Sequence, residues 1–483
     1  FFIGYNSNDV VVETNNKSLP APAEFVEKKK KKKEFKKHRK EFFEYIHKTD
    51  SNTDWRDIDK ETRRQKTENS KIILESMLNE GQLNRDNLYR VNISSRNLEG
   101  EWAERGSNNL AGRIRTADID FENNLIYCAS SGGNIWRGTL EGENWESLTD
   151  YQQVLGITFL RKIGSRILFS NHKGFYYSDN EGLLLNEASG LEFLDSWGDI
   201  KRTIIKAETN EIYSLVKESN NGAVTSIYKS EDLGESFSRI LSFNSASGFS
   251  QDDVSHFDIW TSRYFLEDVY VLHDSDLYKI NSEDQLEEVG SINTNYSGDV
   301  ILTGGTGTNV PFLYAHINGR IFQSINGGNS WVDRGNSPSD WYFTINSFNS
   351  SNINASDIYI GGIETFRSTN GGSNWNLVNN WWDYYDNPES KLHADIPEIR
   401  FFLDSEFNEV ALISTDGGLY LSDDGIVNVE NLSLFGLGVS QYYSTYTKRD
   451  TPYHIYAGSQ DQGFQRSLLD NGGIRLFEQK SSF

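Results

Sequence analysis

A punctuation mark that recurs along the chain constrains its fold more than any other feature. It reads Ser-x-Asp/Asn-x-Gly-x-x-Trp/Phe. The best copies are Ser324-Ile-Asn326-Gly-Gly328-Asn-Ser-Trp331, Ser368-Thr-Asn370-Gly-Gly372-Ser-Asn-Trp375 and Ser230-Glu-Asp232-Leu-Gly234-Glu-Ser-Phe237. Ser178-Asp-Asn180-Glu-Gly182 ends in Leu185, only Gly142 and Trp145 keep the spacing near 140, and Ser422-Asp-Asp424-Gly425 reads as shortened. The chemistry is that of a β-hairpin. The Asp or Asn accepts backbone N–H bonds across the turn, Gly takes the positive φ, and the aromatic ring folds back over the apolar face.

Each copy follows a short run centred on an aromatic or branched residue by about ten residues. Leu125-Ile-Tyr127-Cys128, Ile167-Leu-Phe169, Ile212-Tyr-Ser-Leu215 and Val269-Tyr-Val-Leu272 are four such runs; Phe312-Leu-Tyr-Ala315, Ile358-Tyr-Ile360, Val410-Ala-Leu-Ile413 and Ile455-Tyr-Ala457 are four more. Runs of this composition between turn-rich flanks are buried strands. Units repeat about every 40 to 55 residues, the length of a four-stranded blade. The expected fold is therefore all-β, a β-propeller of four-stranded antiparallel blades. Eight units fit between residues 113 and 483, and because strand signals run to the last residues the expectation is a propeller incomplete at that end or the start of a second ring. An isolated strand around Glu101-Trp102 is expected to serve as an outer strand closing a ring.

Residues 1–95 differ from 96–483 and form a helical, Lys-rich N-terminal arm in this reading. Helices are expected within 24–48 and from about Asp54 to Glu80, with Gly81 as C-cap. Phe35, Phe42 and Ile46 make a narrow apolar stripe on the first. Ten Lys/Arg and one Glu lie between Lys28 and Lys40, a local net of +9 against −23 for all 483 residues, so the rest carries −32. The arm suits an anionic surface or acidic partner, or simply lies solvated along the acidic body. So acidic a body argues against nucleic acid as partner, because that requires a basic footprint. The one cysteine, Cys128, excludes an internal disulfide framework and a multi-cysteine zinc site. No apolar run is long enough to span a bilayer. Phe1-Phe2-Ile3-Gly4-Tyr5 reads as the remnant of an export signal.

The hairpin motif resembles the Asp-box, or BNR repeat, of sialidases, xyloglucanase-type glycoside hydrolases and the sortilin-like propeller. The stretch Trp102-Ala-Glu-Arg-Gly106-Ser-Asn-Asn-Leu-Ala-Gly112-Arg113-Ile114-Arg115 resembles the opening of large exported Asp-box propeller proteins of Bacteroidetes-type bacteria. His393-Ala-Asp395, Thr415-Asp416-Gly417-Gly418-Leu419-Tyr420 and Gly458-Ser-Gln460-Asp461-Gln-Gly463 extend the likeness, which covers about residues 100 to 483. It implies a secreted or cell-surface protein of a Gram-negative-type bacterium, exported by the type IX route. It also implies a glycan or protein ligand, or other subunits of a surface or secretion assembly, as partners.

Catalysis is not evident in the motifs. Sialidase-like proteins carry Arg-Ile-Pro on an early strand, whereas Arg113-Ile114-Arg115 ends in Arg and reads as strand residues with solvated guanidinium groups. Xyloglucanase-like hydrolysis uses two Asp across a cleft between propellers. Where those enzymes place an Asp before Gly-Gly, this chain has Ser130-Ser131-Gly132-Gly133, and a hydroxyl cannot replace a carboxylate base. No phosphate loop, nucleophile elbow or metalloprotease motif is present, and neither metal nor other cofactor is expected. Asp395, Asp416 and Asp461 are expected at strand ends or tight turns. His393-Ala-Asp395 would suit a cation or a base with its orienter, although Pro397 stands where related proteins carry a second His. The most suggestive segment is Asn379-Asn380-Trp381-Trp382-Asp383-Tyr384-Tyr385-Asp386. Its rings and polar groups suit a sugar platform, or else pack onto a neighbouring blade. The candidate ligand residues are thus Trp381, Trp382, Asp383, Tyr384, Tyr385, His393 and Asp395. Two readings remain: a non-catalytic exported binding module, or a glycoside hydrolase with a carboxylate pair in an interpropeller cleft.

Overall fold

The computed structural model describes residues 28–47, 53–82 and 106–481, apart from short stretches at 153, 196–197, 220–222, 244–252, 265–267, 308, 340–341, 449, 451–453 and 469–475. The export-signal reading of 1–5, the strand expected at Glu101-Trp102 and the side chain of Phe35 lie outside the described residues. The chain divides into two compact units, one up to Asn69 and one from Ser70.

In the first unit, helix α1 (Lys28–Ile46) and most of helix α2 (Trp55–Asn79) are built from good helix formers without Gly or Pro. Phe42, Tyr45 and Ile46 are exposed, and the surface carries ion pairs such as Lys37–Glu41 and Lys40–Glu44. Exposed pairs of this kind add little stability. The His47 ring stacks on Trp55 at 4.3 Å, joining α1 to the start of α2. Among the described residues no helix is long and apolar enough to cross a membrane.

Among the described residues, the second unit holds eight four-stranded antiparallel sheets, each made from four consecutive strands. The sheets span 114–147, 159–187, 199–243, 257–291, 300–336, 348–377, 398–431 and 442–481. The last turns of α2 also belong here, with Leu74 buried against Leu183 and Leu184. The fold is an all-β propeller, and its core is distributed between neighbouring blades. Tyr127 and Leu148 of blade 1 pack with Leu160 and Phe169 of blade 2, and Phe175 of blade 2 with Ile200 and Ile212 of blade 3. The series continues to Tyr359 of blade 6 with Ile399 and Tyr420 of blade 7. It then returns to its start: Leu412 and Leu419 of blade 7 pack with Ile114, Ala117 and Cys128 of blade 1. Seven blades therefore close the ring. The eighth sheet stands outside it, with Ile455, Ala457 and Phe477 packed on Tyr442 and Leu110.

The recurring hairpins explain how the blades dock. Ser230 Oγ donates to Asp232 Oδ1 at 2.7 Å and accepts from Gly234 N at 3.0 Å, while Asp232 Oδ1 accepts from Glu235 N and Ser236 N, both at 3.0 Å. Three of these four bonds, all but the one from Glu235 N, recur at Ser324, Asn326 and Gly328, and at Ser368, Asn370 and Gly372. Each hairpin glycine then abuts the preceding blade. A Cβ on Gly234 would collide with Phe175, and one on Gly328 with Leu277. Gly142 of blade 1 meets Leu432 beyond blade 7 in the same way, and Trp145 Nε1 donates to Leu432 O at 3.0 Å. Phe237 is buried, while Trp331 and Trp375 pack, partly buried, on the cores shared by blades 4 and 5 and by blades 5 and 6.

One reading of the sequence needs correction. The Ser422 hairpin is full length, not shortened: Ile426 N donates to Ser422 Oγ at 2.9 Å, where glycine donates in the other hairpins. Ile426 accepts a φ of 59° there, and Val429 takes the place of the aromatic.

Candidate functional site

Three tight turns and one strand start converge where the ring meets the eighth sheet. Arg113 leads into the first strand of blade 1, and Asp416 lies in the turn between the second and third strands of blade 7. Asp461 occupies the equivalent turn of the eighth sheet, and Asp395 precedes blade 7. Asp395 and Asp461 both adopt φ of 61°, a left-handed conformation that Asp tolerates better than most residues.

The Arg113 guanidinium grips Asp416 with two hydrogen bonds and lies 3.8 Å from Asp461 Oδ2. Its other neighbour is the Phe343 ring, 5.1 Å away. Arg113 is thus an anchored group, and the expectation of a solvated strand arginine is corrected. Burial pushes the Asp416 carboxyl up to about 7 against the pull of Arg113, and Asp395 and Asp461 add to the push. Burial, with the nearby Asp461 charge, also raises Asp395. The Asp416 side chain has no exposed surface, so it holds Arg113 and cannot itself touch a ligand.

The aromatic loop forms a short 3-10 helix, Trp381–Tyr385, between blades 6 and 7. Asp383 Oδ2 accepts from Asn380 N at 3.2 Å, fixing the start of that turn. Tyr384 is buried and takes a hydrogen bond from Gln462 Nε2 at 3.0 Å. Tyr385 donates to Asp461 O at 3.3 Å, while Trp382 is exposed and does not line the groove described below. Tyr384 packs inward, and Trp381 and Tyr385 face open space.

His393 is 3% exposed, with the edge of its ring near Tyr384 at 4.6 Å. Its nitrogens lie 3.0 Å from the carbonyls of Ala394 and Asp461. Burial pushes its pKa down against the opposite pull of the two carbonyls, and the ring braces the Asp461 turn. Gly417 lies against this ring so closely that a Cβ would collide with it. Among the described residues no group of three or more His, Cys, Asp or Glu is arranged to hold a metal ion.

A groove of about 470 Å³ results. Trp381 and Tyr385 of the aromatic loop line it together with Tyr443 and Phe464 of the eighth sheet, and Asp395 and Asp461 supply carboxylates. A second hollow of about 580 Å³ lies beside Arg113, lined by Ser130, Ser131, Gln441 and Tyr442. Tyr443 and Phe464 escape the sequence reading because nothing local marks them.

No family model matches the chain, and no curated protein matches it. Among solved structures, it is similar to the GH74 xyloglucanase from Xanthomonas campestris, at 12% identity and a TM-score of 0.53 over 78% of this chain and 62% of that one. An ancestral GH74 enzyme gives 12% identity and a TM-score of 0.51 over 76% and 54%. YCF48 from Cyanidioschyzon merolae gives 13% identity and a TM-score of 0.44 over 64% and 95%. The chain thus spans 54–62% of the length of the two GH74 enzymes. At this identity the likeness to them is one of fold, the β-propeller already evident in the blade-to-blade cores.

Proposed function

We propose that this chain is a non-catalytic binding module that takes a glycan in the groove between the aromatic loop and the eighth sheet. The observation that carries this reading is that four aromatic residues, Trp381, Tyr385, Tyr443 and Phe464, line one groove together with Asp395 and Asp461. Rings stack on the apolar faces of sugars, and carboxylates accept from their hydroxyls. The volume falls within the usual range for ligand pockets. Tyr443 and Phe464 are exposed, at 72% and 44%, so their rings are open to contact.

The arrangement of acids supports binding over hydrolysis. An acid and a base or nucleophile must flank a glycosidic bond from its two sides. Here Asp395, Asp416 and Asp461 gather around the single guanidinium of Arg113. The Ser-x-Asp/Asn-x-Gly hairpins support membership among Asp-box propellers, and with it export to the cell surface by a type IX route. On that reading a protein ligand or a neighbouring subunit would occupy the same groove.

The test is affinity electrophoresis and calorimetry against xyloglucan, mixed-linkage β-glucan and sialosides, with reducing ends and free sialic acid assayed in parallel. Retardation by one glycan, lost in W381A and Y443A without sugar release, is the expected result. Sugar release by the native protein, abolished in D461N, would replace this reading with a glycoside hydrolase.

A further inference from the structure

The ring axis carries a second site, independent of the groove. A cavity of about 130 Å³ is lined by residues from the first strands of blades 2 to 7, which places it on the axis. Four guanidinium groups, Arg161, Arg202, Arg263 and Arg400, converge on it. Three carboxylates answer them. Asp258 takes Arg202 through two hydrogen bonds of 2.6 and 2.8 Å, and Glu398 takes Arg400 at 2.6 Å. Asp118 is shared between Arg263 at 2.6 Å and Arg161 at 3.2 Å.

These carboxylates have little capacity to spare. Asp118 also accepts from Lys162 N, Asp258 from Ile259 N and Leu302 N, and Glu398 from Ala117 N. The cluster is left one positive charge in excess, and all four arginine side chains are less than one-fifth exposed. Buried charge without a counter-charge is costly, so such a cluster attracts an anion. A separate observation agrees. Thr261 Oγ1 and Ser350 Oγ belong to residues lining the same cavity, and among the described residues neither atom has a hydrogen-bond partner. Each can donate. Water would satisfy these donors but not the charge. A small oxyanion satisfies both, and the volume has room for one together with a few waters.

We propose that the axial cavity binds a small oxyanion, either a free tetrahedral ion or the carboxylate of an acidic sugar. Calorimetry with sulfate, phosphate and glucuronate, at constant ionic strength set with sodium chloride, tests this. Saturable one-to-one binding of at least one of the three is expected. T261V removes one unpaired donor and leaves every ion pair intact, so it should weaken binding roughly fivefold to tenfold. R263M removes the excess charge and should weaken it more than tenfold. If R263M does not fold, T261V and the location of the ion still decide. Crystals soaked in selenate should show anomalous density within the axial cavity. Absence of saturable binding by all three anions would overturn the proposal in favour of a water-filled channel. Binding unchanged in T261V, or selenate found only at the surface, would overturn it as an adventitious ion only.

Discussion

The seven blades of the ring and the eighth sheet share one strand order and differ in what lies beside them. In blade 5 the first strand, Val300–Gly305, is buried along its whole length, packed between blades 4 and 6. In the eighth sheet the first strand, Tyr442–Thr447, exposes Ser444, Thr445, Tyr446 and Thr447 in succession. Both strands pair antiparallel with the second strand of their sheet, the eighth sheet with an irregularity between Tyr442 and Ser444. The difference teaches that a blade gains its core from its neighbours, since a lone twisted sheet has no second layer to bury its faces. It also leaves the eighth sheet free to turn two aromatic rings toward the groove.

The comparison can be broken most forcefully inside the ring. Leu302→Ala opens a cavity in the core shared by blades 4 and 5, and should cost about 3–4 kcal/mol in chemical denaturation. Gly328→Ala imposes a Cβ at a φ of 93° and against Leu277, and should cost about 2–3 kcal/mol by the same measurement. Ser230→Ala removes the hydroxyl that ties one hairpin together, for about 1 kcal/mol. At the other end, Tyr446→Ala on the exposed face of the eighth sheet should change stability by less than about 0.5 kcal/mol. A large loss for Tyr446→Ala would mean that the eighth sheet is as tightly buttressed as a blade.

The joint between the two regions should respond to pH through Asp416. Its folded-state pKa lies above the unfolded value of about 4, so its stabilising contribution is complete below that value and declines as pH rises through about 7. The native protein should therefore lose stability relative to D416N between pH 4 and pH 8, as read from thermal midpoints. Glycan affinity should change near pH 7 for the native protein and not for D416N, because the charge on Asp416 sets how firmly Arg113 is held beside Asp461.

Much of the fold is legible in the sequence because blade strands and hairpins are local signals. Leu125–Ser130 and Ile135–Thr139 fall where aromatic runs and turn residues place them. Closure at the seventh blade is not legible, since the strands at His454–Ser459 and Gly463–Leu468 read like those of any other blade. Closure rests on contacts such as Gly142 with Leu432, which join distant parts of the chain. The Ser422 hairpin was obscured because Ile426 stands at a position where glycine is the expected residue. The aromatic loop declared itself, but the burial of Tyr384 and the anchoring of Arg113 depend on Gln462 and Asp416, which only the folded chain brings near.

The seam between blades 1 and 7 has a mechanical consequence. Among the described residues no sheet contributes a strand across it, and the loops beside it are joined by bonds such as Gly112 N to Val439 O and Gly436 N to Asn108 O. The ring is therefore built like a split washer. Tension pulling its two ends apart meets interlocked side chains and a few loop bonds instead of a full ladder, so it would part at that gap before any blade unravels.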